Sequence, residues 1–295
     1  GFILTIIYQW LGSLEEWAFR LLYEVTGHYN YTILASMGIL VILLGLVVMA
    51  WATRRLIRTM IGVVMPGESD NLSDLIFSNL QLSKGPKVVV IGGGTGLSVM
   101  LRGLKAKTYN LTAVVTVADD GGSTGRIRQD LDIIAPGDLR NCLVALADKE
   151  GLMEKLFAHR FGGSGNLTGH SFGNLFIAAL IEVLGDVEEA MDATSKVLRV
   201  RGKVIPSSAE KLRLNAEMTD GRIVEGESQI PHAHGKIKRV FTTPEHPKAI
   251  QSAVDAIKEA DAIVLGPGSL YTSIMPNLCV PDIVQAVRTS KAPKI

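Results

Sequence analysis

Between Tyr31 and Thr53 the chain carries no charged side chain, and Ile33 to Met49 is almost wholly aliphatic. At about 1.5 Å of rise per residue, roughly 20 such residues cross a ~30 Å hydrocarbon layer, and a helix satisfies its own backbone groups throughout. Tyr29, Tyr31 and Trp51 stand at the two ends of the run, as rings at a membrane–water interface do. Arg54, Arg55 and Arg58 follow at once, a basic cluster that favours the cytoplasmic side. A buried core helix is the alternative, and the length and even apolarity of the run speak against it. We therefore expect a membrane anchor over residues 1–64, with a transmembrane helix at 31–53.

Residues 1–12 are apolar but too short to span alone, and read as the tail of an earlier span. Residues 13–30, with Glu15, Glu16, Arg20 and Glu24, read as an external loop. The spacing of Leu14, Trp17, Leu21 and Leu22 also suits an amphipathic helix on the outer surface. A signal peptide fits poorly, because no small-residue cleavage site follows. Gly1 is not a start methionine, and Lys294-Ile295 reads as the first step of another strand, so the chain is expected to be a fragment.

A polar, turn-rich stretch at 65–85 reads as a linker, with one short helix around Leu72 to Leu80. Beyond it, short β-branched runs alternate with helical patterns. Lys87–Ile91, Asn110–Val117 and Asp261–Leu265 read as strands. Leu97–Leu104, Leu139–Ala147, Asn174–Leu184 and Pro247–Ala260 read as helices. That alternation implies an α/β domain, a mostly parallel sheet with helices on both faces. One interruption breaks it: Asp220-Gly221 between Lys211–Met218 and Arg222–Ser228 signals an antiparallel hairpin, joined by Lys236–Thr242. Thirty basic and 29 acidic side chains leave a net charge of +1, which argues against a nucleic-acid partner. Cys142 and Cys279 stand alone in apolar contexts, so buried thiols are expected rather than a disulfide or zinc site.

Five glycine-rich or polar loops carry the chemistry. Gly92, Gly93, Gly94, Thr95, Gly96, Leu97 and Ser98 follow the first strand and open a helix, the place where backbone N–H groups meet a phosphate. The dinucleotide pattern is imperfect, because Leu97 stands where a third glycine belongs, and no lysine makes it a Walker loop. A tight strand–helix turn is the alternative. At the end of the second strand, Asp119 and Asp120 precede Gly121, Gly122, Ser123, Thr124 and Arg126. Adjacent carboxylates at a strand end suit a ribose, a base or a divalent metal, and Arg126 suits a phosphate. A turn capping the next helix is the plainer reading. Asp138 would make a helix N-cap, with Arg140 and Asn141 projecting toward the same crevice. His170 and Asn174 enter another helix, and His170 is a candidate acid or base unless it is structural. Gly266, Gly268, Ser269, Tyr271 and Thr272 follow the last strand. His232 and His234 are read as surface residues. Open α/β sheets bind ligands outside the carboxyl ends of their strands, and the gathering of these loops weighs more than any one of them.

The segments VVVIGGGTGLSVMLRGLK, TVADDGGSTGRIR, PGDLRNCL, LTGHSFGNL and GPGSLYTSIMPNL, in this order, closely resemble the YvcK family of bacterial gluconeogenesis factors. That family is related to the CofD-like 2-phospho-L-lactate transferases. The resemblance covers Pro86 to Ile295 and implies a Rossmann-like sheet. It also implies a binder of nucleotide-sugars, UDP-sugars in particular, tied to cell shape and envelope synthesis during gluconeogenic growth. The related transferases move a phospholactyl group from a nucleotide-diphosphate donor with magnesium. On that alternative Mg2+ would sit on Asp119 or Asp120, and Asp119, Asp120 and His170 would be the catalytic candidates. An NAD-type oxidoreductase is disfavoured by the imperfect glycine pattern. We expect a regulatory binder rather than an enzyme, a homo-oligomer at the cell membrane with its nucleotide-binding domain (86–295) in the cytoplasm. An envelope-precursor enzyme is its expected protein partner.

Overall fold

The computed structural model describes residues 31–64, 79–148 and 151–295, with scattered positions between 9 and 27. The expected partial span at 1–12 and linker at 65–85 fall largely outside the described residues. The chain divides into two units, Gly1–Leu75 and Ile76–Ile295.

In the first unit, helix α1 runs unbroken from Tyr31 to Val64, 34 residues. It passes Thr53, where the uncharged run ends, because no proline interrupts the sequence before Pro66. Thr53 and Thr59 turn their hydroxyls back onto the carbonyls of Met49 and Arg55, at 2.8 and 2.9 Å. The Arg55 guanidinium lies 5.2 Å from the Trp51 ring. Gly38–Ile57 has a mean hydropathy of 2.0, and none of its most apolar window is buried within the structure.

In the second unit, β1 (Val88–Gly92), α2 (Gly94–Leu104) and β2 (Leu111–Val115) come first. Five helices follow: α3 (Gly122–Leu131), α4 (Gly137–Leu146), α5 (Leu152–Ala158), α6 (Phe172–Leu184) and α7 (Val187–Leu198). Then come β3 (Lys203–Pro206), β4 (Arg213–Met218), β5 (Ile223–Glu225) and β6 (Ile237–Thr243). The described chain closes with α8 (Gln251–Glu259), β7 (Ala262–Leu265) and α9 (Pro281–Thr289).

The main sheet has the order β3-β2-β1-β7, all parallel. Val88 pairs with Leu111 on one side and Ala262 on the other. Side chains alternate between faces along a strand. Val89, Val90 and Ile91 are nevertheless all buried, so both faces are covered. Helices supply the cover, with α2 packed on α4 and α8 on α9. Pro293 to Ile295 add a parallel pairing to β7, through Ile263 N to Pro293 O and Leu265 N to Ile295 O at 2.9 and 2.8 Å. Lys294 thus makes an isolated parallel bridge to Ile263, the first step of the strand read from Lys294-Ile295 but not a strand in itself.

The antiparallel excursion is also present, as a separate sheet of order β5-β4-β6. Its β4–β5 turn works because Gly221 takes a φ of +87°, while the Asp220 carboxylate accepts from Arg222 N at 3.1 Å. The folded unit begins earlier than Pro86. Residues 79–83 are helical, and Leu82 O accepts Tyr109 N at 2.9 Å. Asn110 Nδ2 donates to Ser83 O and Gly85 O at 2.9 and 2.6 Å.

Candidate functional site

Because the four main strands run parallel, their carboxyl ends share one edge, and the loops leaving β1, β2 and β7 meet there. Gly96 lies against Pro267: a Cβ on it would stand 3.1 Å from Pro267 O. Asn277, fully buried, donates through Nδ2 to Gly92 O and Ser273 O at 3.1 and 2.9 Å, so it ties the first loop to the last. Asn277 lies inside the GPGSLYTSIMPNL segment, but nothing in sequence marks it as the tie, since Gly92 is far along the chain.

Helix α2 starts at Gly94, three residues before the expected start at Leu97. Thr95, Gly96, Leu97 and Ser98 thus lie in its first turns. Leu97 is fully buried in the core, and Ser98 returns its hydroxyl to Thr95 O at 2.8 Å. The first N–H of the helix, on Gly94, is held by Asp138 Oδ2 at 2.7 Å. Gly93 permits this approach, for a Cβ there would lie 2.7 Å from Asp138 Oδ2 and 2.6 Å from Thr116 Cγ2.

Asp138 is therefore not the N-cap of its own helix. That helix begins at Gly137 with Pro136 at the cap position, and Asp138 sits in the first turn. The carboxylate leaves its own helix to hold the N-terminus of α2 instead. Burial pushes its pKa up to about 6, against the opposing pull of the Gly94 bond. Asn141 bonds Asp138 and also accepts from Arg140 Nη2 at 2.7 Å. An anion arriving at this glycine loop meets a carboxylate already on the first N–H.

The DDGGSTGR segment folds further than expected. Its glycines open helix α3, so Gly122 to Arg126 are helical rather than loop. Asp119 Oδ1 accepts Gly121 N at 2.9 Å, and Asp120 Oδ1 accepts Ser228 N at 2.8 Å. Through Ser228 the residues after β5 reach the main sheet, and they bring Glu227, which the sequence reading placed in a hairpin arm. Asp119, Asp120 and Glu227 present carboxylate oxygens within 4.8 Å of one another, all three half-buried. Burial first, then Asp119 and Asp138, push the Glu227 pKa up to about 8, opposed by a hydrogen bond with Thr272. Hard carboxylate oxygens gathered this closely fit a divalent cation such as Mg2+, held by Asp119, Asp120 and Glu227. A cation there would relieve their mutual repulsion and draw a diphosphate to this edge.

Ser123 joins the second loop to the fourth. Its Oγ accepts Ser171 N at 3.2 Å and Asn174 Nδ2 at 3.3 Å. Its own O–H is left for His170 Nδ1 at 3.3 Å, which places the imidazole proton on Nε2. Burial and the nearby Arg126 hold the His170 pKa below its ordinary value. His170 and Asn174 are thus gathered at the same edge as Ser123, and Asn174 Oδ1 is buried without a partner. In the last loop Gly266 takes a φ of +102°, and a π-helical turn over Leu270–Ile274 leaves Leu270 and Tyr271 exposed at the rim. Ser269 caps nothing, and Thr272 faces Glu227.

His232 and His234 are exposed, as expected. Cys142 is buried and Cys279 half-buried, and burial pushes both thiols up. A cavity of about 580 Å³ opens at the opposite edge of the sheet, lined by Lys87, Tyr109, Lys203, Ser252, Asp255 and Glu259 among others. None of the glycine loops borders it, and we place the site by the convergence of its chemistry instead.

A sequence profile described as 2-phospho-L-lactate transferase CofD matches residues 88–295. Proteins called gluconeogenesis factor from Halalkalibacterium halodurans and Bacillus subtilis are each 56% identical, over 72% and 71% of this chain. The chain covers 66% of each of them. A Nostoc protein is 54% identical over 88% of this chain, a share larger than the second unit alone can supply, and the chain spans 57% of its length. A crystal structure from Bacillus halodurans superposes with a TM-score of 0.69 at 56% identity, covering 72% of this chain and 68% of that one.

Proposed function

The chain belongs to the YvcK branch of the CofD family, and from that premise we propose that it is a membrane-anchored gluconeogenesis factor that binds a nucleotide-sugar. UDP-sugars are the ligand class, and support of cell shape and envelope synthesis during gluconeogenic growth is the role. The observation that carries the ligand reading is the meeting of the loops after β1, β2 and β7 at one edge, beside Asp119, Asp120 and Glu227. Backbone N–H groups suit phosphate oxygens, and the carboxylates suit sugar hydroxyls or a magnesium ion on the diphosphate. The exposed apolar side chains of α1 between Ile39 and Trp51, with Arg54 and Arg55 next along the helix, support the anchor.

The transferase alternative draws on the name of the matching profile and on the same carboxylates. A transferred group needs an acceptor hydroxyl and a base to take its proton. His170, the expected candidate, has Nδ1 committed to Ser123, which favours binding over turnover.

Calorimetric titration of the detergent-solubilised chain with UDP-N-acetylglucosamine, UDP-glucose and GDP, with and without Mg2+, tests the reading. Saturable UDP-sugar binding with the sugar intact afterwards is expected. Preference for GDP, or magnesium-dependent consumption of a nucleotide-linked donor, would overturn it in favour of the transferase.

A further inference from the structure

Asp119 and Asp120 leave the end of β2, whereas Glu227 arrives just after β5 on a different sheet, and carboxylates this close repel one another. Two ties hold them from the acids themselves: Asp120 Oδ1 takes Ser228 N at 2.8 Å, and Thr272 bonds Glu227. A third tie uses no carboxylate. Arg128, half-buried on α3, donates through Nη2 to Leu212 O, at the residue that leads into β4. Its Nη1 reaches Ala118 O and Asp119 O, each at 3.5 Å. One guanidinium thus touches the backbone on both sides of the gap, behind the acids of β2 and at the entrance to the small sheet.

Leu212 is fully buried, so core packing anchors the backbone that Arg128 grips on the far side. Burial lowers the Arg128 pKa from its ordinary value, and Asp120 is the largest counterweight, with Asp119 on the same side. Another contact between the same segments, the Lys211–Asp132 ion pair, lies on the surface with Asp132 83% exposed, where such pairs contribute little. Arg126, the more conspicuous arginine of GSTGRIR, turns away. Side chains two residues apart leave a helix on nearly opposite sides, and Arg126 is exposed and donates to Thr168 O at 2.8 Å.

We propose that Arg128 is a positioning residue for the cation site, setting the span between the Asp119-Asp120 pair and Glu227 so that all three carboxylates reach one divalent cation. This inference rests on the reading of those carboxylates as a cation site. Because Arg128 holds backbone carbonyls, it takes no carboxylate oxygen away from the metal. Its planar fork serves two segments at once, whereas a lysine ammonium on its flexible stem is a point charge. A guanidinium that acted only through its charge would be replaced by lysine without loss, so the substitution separates the two roles.

Mn2+ uptake by the detergent-solubilised chain, read from loss of the free-ion EPR signal, tests the proposal. Arg128→Lys should weaken Mn2+ binding about fivefold, the worth of one hydrogen bond. In a Glu227→Gln background the same substitution should cost nothing further, since no third carboxylate remains to be placed. Unchanged affinity in Arg128→Lys, or a loss that persists in full without Glu227, would overturn the proposal. Coupling is reciprocal, so a bound cation must tighten the grip of Arg128 in return. On the native chain, saturating Mn2+ should therefore slow phenylglyoxal modification of Arg128 severalfold, read by mass spectrometry, while Arg126 reacts as before. Equal rates at Arg128 with and without Mn2+ count against it, and this footprint stands even where the variant fails to fold. If the native chain takes up no Mn2+, alone or with UDP present, the cation site itself fails and the proposal with it.

Discussion

Asp138 is the residue in which the site's two tasks conflict. It caps α2 through Gly94, which favours the ionised form, yet it is buried beside Asp119, which favours the proton. Its pKa in the folded chain, about 6, lies above the ordinary carboxylate value. The folded state therefore holds this proton more tightly than the unfolded state, so stability falls as pH rises from about 4 to about 6. Above that window the ionised carboxyl costs the fold roughly 3 kcal/mol, at about 1.4 kcal/mol per pKa unit. Asparagine keeps an oxygen for the Gly94 N–H without the charge. Asp138→Asn should thus raise the melting temperature at pH 7.5, with a gain of up to about 3 kcal/mol that fades toward pH 4.5. Thermal melts at the two pH values check this, and a variant less stable than native at pH 7.5 would contradict it. The polarity of this position is legible in sequence, but its role is not: PGDLRN looks like a cap for the following helix, and the true partner lies on another element.

The elements that present the site differ in how openly the sequence announces them. β1, β2 and β7 are short β-branched runs ending in glycine loops or acids, and each was legible to within a residue or two. β3 was not: KVIP is four residues, ends in proline and follows a basic turn, so neither length nor alternation marks it. Helix α3 was hidden by composition, since a helix opening with glycine, serine, threonine and glycine reads as loop until tertiary packing overrides propensity. The small antiparallel sheet was legible from Asp220-Gly221, but not its purpose, which is to carry Glu227 and Ser228 to the acids after β2. That delivery depends on Gly226, which has a φ of +93° and leaves no space for a side chain, because a Cβ would stand 2.3 Å from Asp120 Oδ2. Gly226→Ala should therefore cost about 1–3 kcal/mol of stability, from strain and overpacking together. It should also weaken the Mg2+-dependent part of nucleotide binding more than the metal-independent part. Denaturant unfolding and titration with and without Mg2+ read the two effects, and an unchanged metal dependence would detach Glu227 from the site.

At the scale of the whole molecule, the proposed anchor leaves one helix and one charge cluster to set on which side of a membrane the second unit would work. Helix α1 is 34 residues long, roughly 50 Å at 1.5 Å per residue, whereas a hydrocarbon core needs about 20 residues. The helix continues past Thr53 through Arg54 and Arg55 to Val64, as a basic extension interspersed with aliphatic residues. The extension follows from local sequence: helix formers without proline propagate a helix that the apolar run has already nucleated. Its end does not follow from hydropathy, which is why the sequence reading stopped at the last uncharged residue. Positive charge beside a span favours the cytoplasmic side, so on the proposed anchoring the domain would face the cytoplasm, where the proposed ligand is made. Replacing Arg54, Arg55 and Arg58 together by glutamate removes that bias, and the chain should then insert in mixed orientation. Protease added outside intact spheroplasts should spare the domain of the native chain and cut a substantial fraction of the triple variant. A variant as protected as the native chain would mean that another segment sets the orientation, and cleavage of the native chain from outside would place the domain on the wrong side for the proposed ligand.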